Sequence, residues 1–265
     1  MSENPIKDAA IEVLKERSKE IYDDGLKPVT KEGGEILQTI VGLFNNVVLY
    51  PVKKANLTFR YKLEQFEKDL KLKTDNIPDD KLIEPPLNIA GPTIEALKYT
   101  FDTKEIREMY INLLSSSMNA DTVRLAHPSY VEIIKSMTPL DAIVFKNAAK
   151  DSKNIPCARV TIGFDDKSYT YAMPTIFAPD LIGEEDPFLV SSSIENLCRL
   201  GILTHLETSI VGYDYDLFKQ HPFVMKQFEK FKNVNPRLKL KIDIVKQVIF
   251  ASDFGKNFAK ACLQY

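Results

Sequence analysis

Of the side chains that could do chemistry in this sequence, the histidines come first, because their charge changes near neutral pH. Two of the three, His127 and His221, stand directly before a proline. A His-Pro pair opening a helix offers a ring nitrogen as an N-terminal cap. Neither residue has a carboxylate or a nucleophile at a spacing that would orient it for general acid or base work. His205 alternates with Glu207 in a strand-like run and reads as a surface residue. Glu105, Arg107 and Glu108 would suit a nuclease-type site or an ion-pair group. However, Glu105 stands three residues after Asp102 as in a capping box, and Arg107 can pair along its own helix. Ser115-Ser116-Ser117 has no neighbour in sequence that would activate a hydroxyl, and three small residues in a row fit close helix approach. No glycine-rich phosphate loop, nucleophile elbow, HExxH or EF-hand spacing occurs. The expectation is a non-enzymatic protein without metal or cofactor.

The elements that carry these residues are mostly helices. Between Pro86 and Asp141 the start signals predict four short ones. Gly91-Pro92 places a proline at a first helical position before Ile94, Leu97 and Phe101. Asp102 and Glu105 cap a helix with Ile106, Met109, Tyr110, Leu113 and Leu114 on its apolar stripe. His127-Pro128 opens the third. Thr138-Pro139-Leu140-Asp141 opens the fourth, with cap, N1 proline and N3 carboxylate in order.

Upstream, periodicity predicts an amphipathic helix over 5–21, an apolar one over 32–49 and a long one over 52–72. In the last, Val52, Ala55, Phe59, Leu63, Phe66 and Leu70 form a seam suited to a helical hairpin or a second chain. Downstream, alternation predicts a hairpin around Asp165-Asp166-Lys167, a loop over 174–187 and a helix capped by Ser192 and ended by Gly201. Strands follow over 202–207 and 210–215, then a helix from His221 to about Phe231, a strand over 238–250 and a helix over 253–263.

Composition sets the class. With 44% hydrophobic and 27% charged residues, the 265-residue chain can bury a sizeable core. A net charge of -2 exerts no global pull on nucleic acid or anionic lipid, so such binding must be local. Cys157, Cys198 and Cys262 never form CxxC, which argues against a disulfide framework or zinc site and fits a reducing cytosol. The N-terminus lacks a signal-peptide pattern, and the most apolar window, 36–50, falls short of the ~20 residues of a membrane span.

Two local basic excesses stand out. Lys53, Lys54, Arg60, Lys62, Lys68, Lys71 and Lys73 face only Glu64, Glu67 and Asp69. The run from Lys226 to Lys246 sets seven cations against Glu229 and Asp243, a net of five positive. Each reads either as a solvated face or as a contact for phosphate or lipid. Candidate interaction residues are Phe59, Leu63 and Phe66 of the seam with Lys53, Lys54 and Lys62. Candidate phosphate-binding residues are Lys230, Lys232, Arg237, Lys239 and Lys241.

The runs IAGPTIEALKYT, EIREMYINLLSSSMNADT and AHPSYVEIIKSMTPLDA resemble the Abi-alpha family of bacterial abortive-infection proteins, which are linked with defence against phage. The resemblance is close over residues 82 to 145. It implies a cytoplasmic antiphage component and names no catalytic residue. Separately, a helix ending in Arg199-Leu200-Gly201-Ile202-Leu203 and flanked by strands resembles winged-helix domains.

The expected fold is therefore α+β and predominantly α-helical, with a helical bundle over 1–150 and a winged-helix-like half over 151–265. The expected function is defence through protein binding or self-association rather than catalysis. A membrane-perturbing effector using the helices of 32–72, peripheral at the inner membrane, and a nucleic-acid-binding regulator using 226–246 stay open as alternatives.

Overall fold

The structure is a computed structural model that describes residues 32–46, 56–150, 153–164, 169–170, 173–234 and 236–263. Six helices come first: α1 Glu32–Phe44, α2 Asn56–Thr74, α3 Leu87–Thr100, α4 Lys104–Ser117, α5 Ser129–Lys135 and α6 Pro139–Ala149. Strands β1 Ile155–Phe164 and β2 Tyr169–Thr170 follow, then α7 Pro179–Ile182, α8 Pro187–Arg199 and β3 Leu203–Leu206. A 3-10 turn over Tyr215–Gln220 leads into α9 Pro222–Val234, β4 Leu240–Ala251 and α10 Asp253–Cys262. The α+β, mainly helical class read from the sequence is what the chain adopts.

Helix α4 is the hub. Every residue from Met109 to Ser117 is buried, because α2, α3, α5, α6 and α10 pack around it. A helix buried on all sides must satisfy its polar residues internally. Ser115 Oγ donates to Lys73 O (3.3 Å), Ser116 Oγ to Ala261 O (2.8 Å) and Ser117 Oγ to Leu114 O (2.7 Å). The three serines thus let α2 and α10 approach closely and hold backbone carbonyls, as their size predicts.

Helix α6 starts on the capping box expected at Thr138: Asp141 N donates to Thr138 Oγ1 (3.1 Å) and Thr138 N to Asp141 Oδ2 (2.7 Å). Two other starts differ. Helix α3 begins at Leu87, with Pro86 rather than Gly91 before it, and Pro92 lies inside the helix. Burial of Ile89 and Ala90 extends the helix past the proline, since Pro86 O accepts from both of their amides (2.9 Å each). Helix α4 is preceded by Thr103 without a side-chain cap, so the Asp102–Glu105 capping box does not form.

Sheet order is β2-β1-β4-β3, antiparallel throughout. The long β1–β4 ladder pairs Ile155 with Ile249 and Phe164 with Leu240, while β3 pairs only Leu203–Leu206 with Ala251–Val248. Alternation places Val160, Ile162, Ile242 and Ile244 on one face and Arg159, Thr161, Asp243 and Val245 on the other.

Three downstream readings are corrected. Helix α8 starts at Pro187, five residues before Ser192, because Asp186 Oδ1 accepts from Phe188 N and caps it (2.7 Å). The loop expected over 174–187 contains α7. Residues 210–215 form no strand: Gly212 turns the chain at φ 80°, and the Tyr215 hydroxyl folds back to Ile210 N and Gln247 O. Gly201 ends α8 at φ 76° with its N–H on Cys198 O, as the C′ position predicts.

Candidate functional site

Phe66, in the middle of the sequence-predicted seam, is fully buried and stacks on Phe44 of α1, ring centroids 4.1 Å apart and planes 8° from parallel. Phe101 leans on Phe44 at 5.5 Å. The seam at this point packs within the chain. Lys62 lies beside it with Nζ 2.7 Å from Asp102 Oδ2 and 5.7 Å from the Phe101 ring centroid. Arg107 braces the same corner, donating from Nη1 to Phe101 O (2.7 Å) while Nε lies 3.3 Å from Asp69 Oδ2. Asp102, expected as a cap, is thus held by a lysine from α2. Lys53 and Lys54 lie outside the described residues, as do the side chains of Phe59 and Leu63 and the predicted helix over 5–21.

The second candidate set forms an exposed basic run. Lys230 and Lys232 lie on α9, Arg237 and Lys239 in the turn after it, and Lys241 at the start of β4, all exposed. Lys232 pairs with Glu229 at 4.0 Å and Lys241 with Asp243 at 3.1 Å. Lys226, Lys230, Arg237 and Lys239 make no ion pair among the described residues. Exposed Met225, Val234, Leu238 and Val245 are interleaved with these cations.

The histidines cap. Ser129 N donates to His127 Nδ1 (3.2 Å), and Phe223 N to His221 Nδ1 (3.3 Å), as the His-Pro spacing predicts. Burial lowers the His221 pKa, with the ring edge-on to Phe177 at 5.0 Å. Burial also pushes the Cys157 thiol up to about 12 and Cys198 to about 11, so neither is a ready thiolate. Asp141 is buried and accepts from Ser193 Oγ (2.6 Å) and Asn196 Nδ2 (3.0 Å) besides Thr138 N. Arg199 in turn donates to Asn196 Oδ1 (2.7 Å). Of the polar groups of α8 that could have read a nucleic acid, Asn196 therefore faces the start of α6 and Arg199 is bonded to it.

Sequence reasoning missed a cleft of about 340 Å³ between α4, α6 and α10. Glu105 and Glu108 stand on its wall with Asn112, brought together with Lys146 of α6 and the end of α10. Their four- and three-residue steps along α4 were the available signal, since 105, 108 and 112 share one helical face. A larger recess of about 550 Å³ beside Leu72, Ser115 and Thr122 presents polar groups that are already bonded, Thr122 Oγ1 to Ser116 O (2.8 Å) and Ser115 Oγ to Lys73 O. Among the described residues no group of His, Cys, Asp and Glu is arranged to hold a metal ion. No helix among them is long and apolar enough to cross a membrane.

A family model described as abortive infection alpha matches residues 58–262, from α2 to the end of α10. The chain belongs to this family. Membership suggests a role in abortive-infection defence, and the matched span contains Phe66, the basic run and all of the cleft's lining residues except Leu263. No curated protein and no solved structure matches the chain significantly. What this abortive infection alpha protein offers for recognition is therefore read from its own surface.

Proposed function

We propose that this abortive infection alpha protein acts in defence by binding an acidic protein partner through the basic run of α9 and β4, without catalysis of its own. The observation that carries the reading is the composition of that run: unpaired Lys226, Lys230, Arg237 and Lys239 interleaved with exposed Val234, Leu238 and Val245. Cations alone would suit phosphate. Apolar side chains among them gain nothing from a sugar-phosphate backbone and do gain from the apolar surface of a protein.

The C-terminal half is a winged-helix-like unit in this reading. Support comes from the order α6, β1, α7, α8, β3, β4 and the sheet neighbours β1-β4-β3, with β2 and the stretch from Tyr215 to Val234 as insertions. Its α8 helix, whose Asn196 is engaged at Asp141 and whose Arg199 donates to Asn196, serves packing rather than base reading. Helices α1 to α5 supply the platform, and the protein works in the cytoplasm.

The test replaces Lys226, Lys230 and Lys239 together by Glu. The expected variant folds as wild type by circular dichroism and loses protection in a phage plating assay. Full protection by the variant would sink the reading. So would a salt-sensitive gel shift of random duplex DNA by the wild type that the variant loses, which would make nucleic acid the partner.

A further inference from the structure

Strand β4 is paired along one side and almost bare along the other. Its partners in β1 run from Leu240 to Ile249, whereas β3 reaches only Val248 to Ala251. The direction of the remaining backbone groups follows from Ala158 of β1. Its N–H donates to Phe177 O (2.9 Å) and its C=O accepts from Phe177 N (2.8 Å), so both are turned away from β4. Lys246 stands opposite Ala158 as a pair without mutual bonds, so its own N–H and C=O point away from β1. Alternation turns Ile244 and Ile242 the same way, and Ser252, in the same phase, donates from N to Ile202 O on that side (3.2 Å). Past Val248 no strand takes up these groups, and no hydrogen bond among the described residues reaches them. The edge left free, from Leu240 to Lys246, is about 20 Å long.

A bare strand edge is a template for one more strand, and its surroundings decide which. Val245 is 41% exposed on one face beside the edge, and Ile242 and Ile244 are half-buried on the other. On the face of Val245, Lys241 and Asp243 pair at 3.1 Å over Gly163 of β1, where a Cβ would stand 2.6 Å from Asp243 Oδ2. Both therefore lean toward β1 and leave the edge open. Exposed Arg237 and Lys239, without an ion pair among the described residues, flank its start. Exposed Lys246 stands at its other end, Nζ 5.6 Å from the Tyr215 ring centroid. Lysines on a free edge discourage pairing between copies. With seven cations against Glu229 and Asp243 over 226–246, this edge repels a second copy of the chain and attracts an acidic one.

We propose that the free edge of β4 takes up an extended acidic segment of a protein partner as an added strand, bonded to the backbone of Ile242, Ile244 and Lys246. This rests on the partner-binding reading and gives it a mode: main-chain bonds hold the segment, and the cations select its charge.

The probe is a capped peptide of alternating glutamate and valine, as long as the free edge, titrated into the full chain at low salt by fluorescence anisotropy. Expected are saturable binding and at least tenfold weaker binding of a copy N-methylated at every residue, which keeps the charge and has no N–H to donate. A tenfold change is about 1.4 kcal/mol. The lysine–valine analogue should not bind. Hydrogen exchange read by NMR should show the amides of Ile242, Ile244 and Lys246 exchanging fast in the free protein and slowed at least tenfold by the peptide. No saturable binding of the glutamate peptide, or no slowing of those amides, would overturn the proposal. Equal binding of the N-methylated copy, with binding lost in the Lys226, Lys230 and Lys239 variant, removes the strand addition and leaves the charge reading standing. If that variant binds the peptide as wild type does, with the same amides slowed, the partner-binding reading falls, and with it the acidic character of the segment.

Discussion

Gly255 of α10 lies so close to Ile202 that a Cβ built on it would stand 1.9 Å from the Ile202 carbonyl oxygen. The contact locks the last helix to the chain leaving α8. Ser252 reinforces it, donating from Oγ to Gly201 O (2.6 Å) and from N to Ile202 O (3.2 Å). Alanine at position 255 would gain about 1 kcal/mol of helix propensity in isolation. Here the added methyl must push backbone away, and overpacking of this kind costs about 1 to 3 kcal/mol or more. Gly255→Ala is expected to lower the urea midpoint, and an unchanged or raised midpoint would show that α10 slides freely past Ile202.

The Asp141 network gives a ranked pair. Thr138→Ala removes one cap acceptor and should cost about 0.5 to 2 kcal/mol. Asp141→Ala leaves the buried Ser193 Oγ without its acceptor and takes one from the part-buried Thr138 N and Asn196 Nδ2, the latter keeping Ser136 O. Each unsatisfied buried group costs about 1 to 3 kcal/mol, so the loss should clearly exceed that of Thr138→Ala. Chemical denaturation of both variants decides it. Equal losses would mean that Ser193 and Asn196 find water instead.

The pH dependence of stability carries a signature of His221. Burial against Phe177 lowers its pKa below the ordinary 6.5, so the unfolded chain takes up the proton more readily than the folded one. Its contribution is complete above pH 6.5 and is lost as pH falls through 6.5 toward the folded-state value. Replacing His221 by Asn, whose side-chain oxygen can still cap Phe223 N, should flatten the melting temperature over that window. A profile identical to that of wild type would remove His221 as its source.

How much of this was legible in sequence depends on how far apart the deciding residues lie. Thr138-Pro139-Leu140-Asp141 was read correctly because cap, proline and carboxylate lie within one turn. Asp102 was misread because its partner is Lys62, forty positions earlier, and an ion pair across helices leaves no local pattern. Residues 210–215 alternate like a strand, yet a hydroxyl bond from Tyr215 to Gln247 pulls them into a turn instead. The cleft was invisible for the same reason. Glu105 and Asn112 share a helical face, but Cys262, whose carbonyl takes up the donor half of the Asn112 amide, comes from the far end of the chain.

The stack of Phe66 on Phe44 is the sharpest test of whether the seam belongs to the chain itself. Both rings are fully buried and Phe101 closes the third side, so truncation opens a cavity that the tight corner at Lys62, Asp102 and Arg107 resists filling. Phe66→Ala should cost about 3 to 5 kcal/mol, and Phe44→Ala a similar amount. The two rings face each other across a single contact, so the double variant should cost less than the sum. The shortfall expected for an aromatic pair is about 0.5 to 1.5 kcal/mol. If the seam instead bound a second chain, Phe66→Ala would leave the monomer as stable as before and reduce only the mass seen by light scattering. Additive losses with no coupling would place the two rings apart in solution and separate α1 from α2.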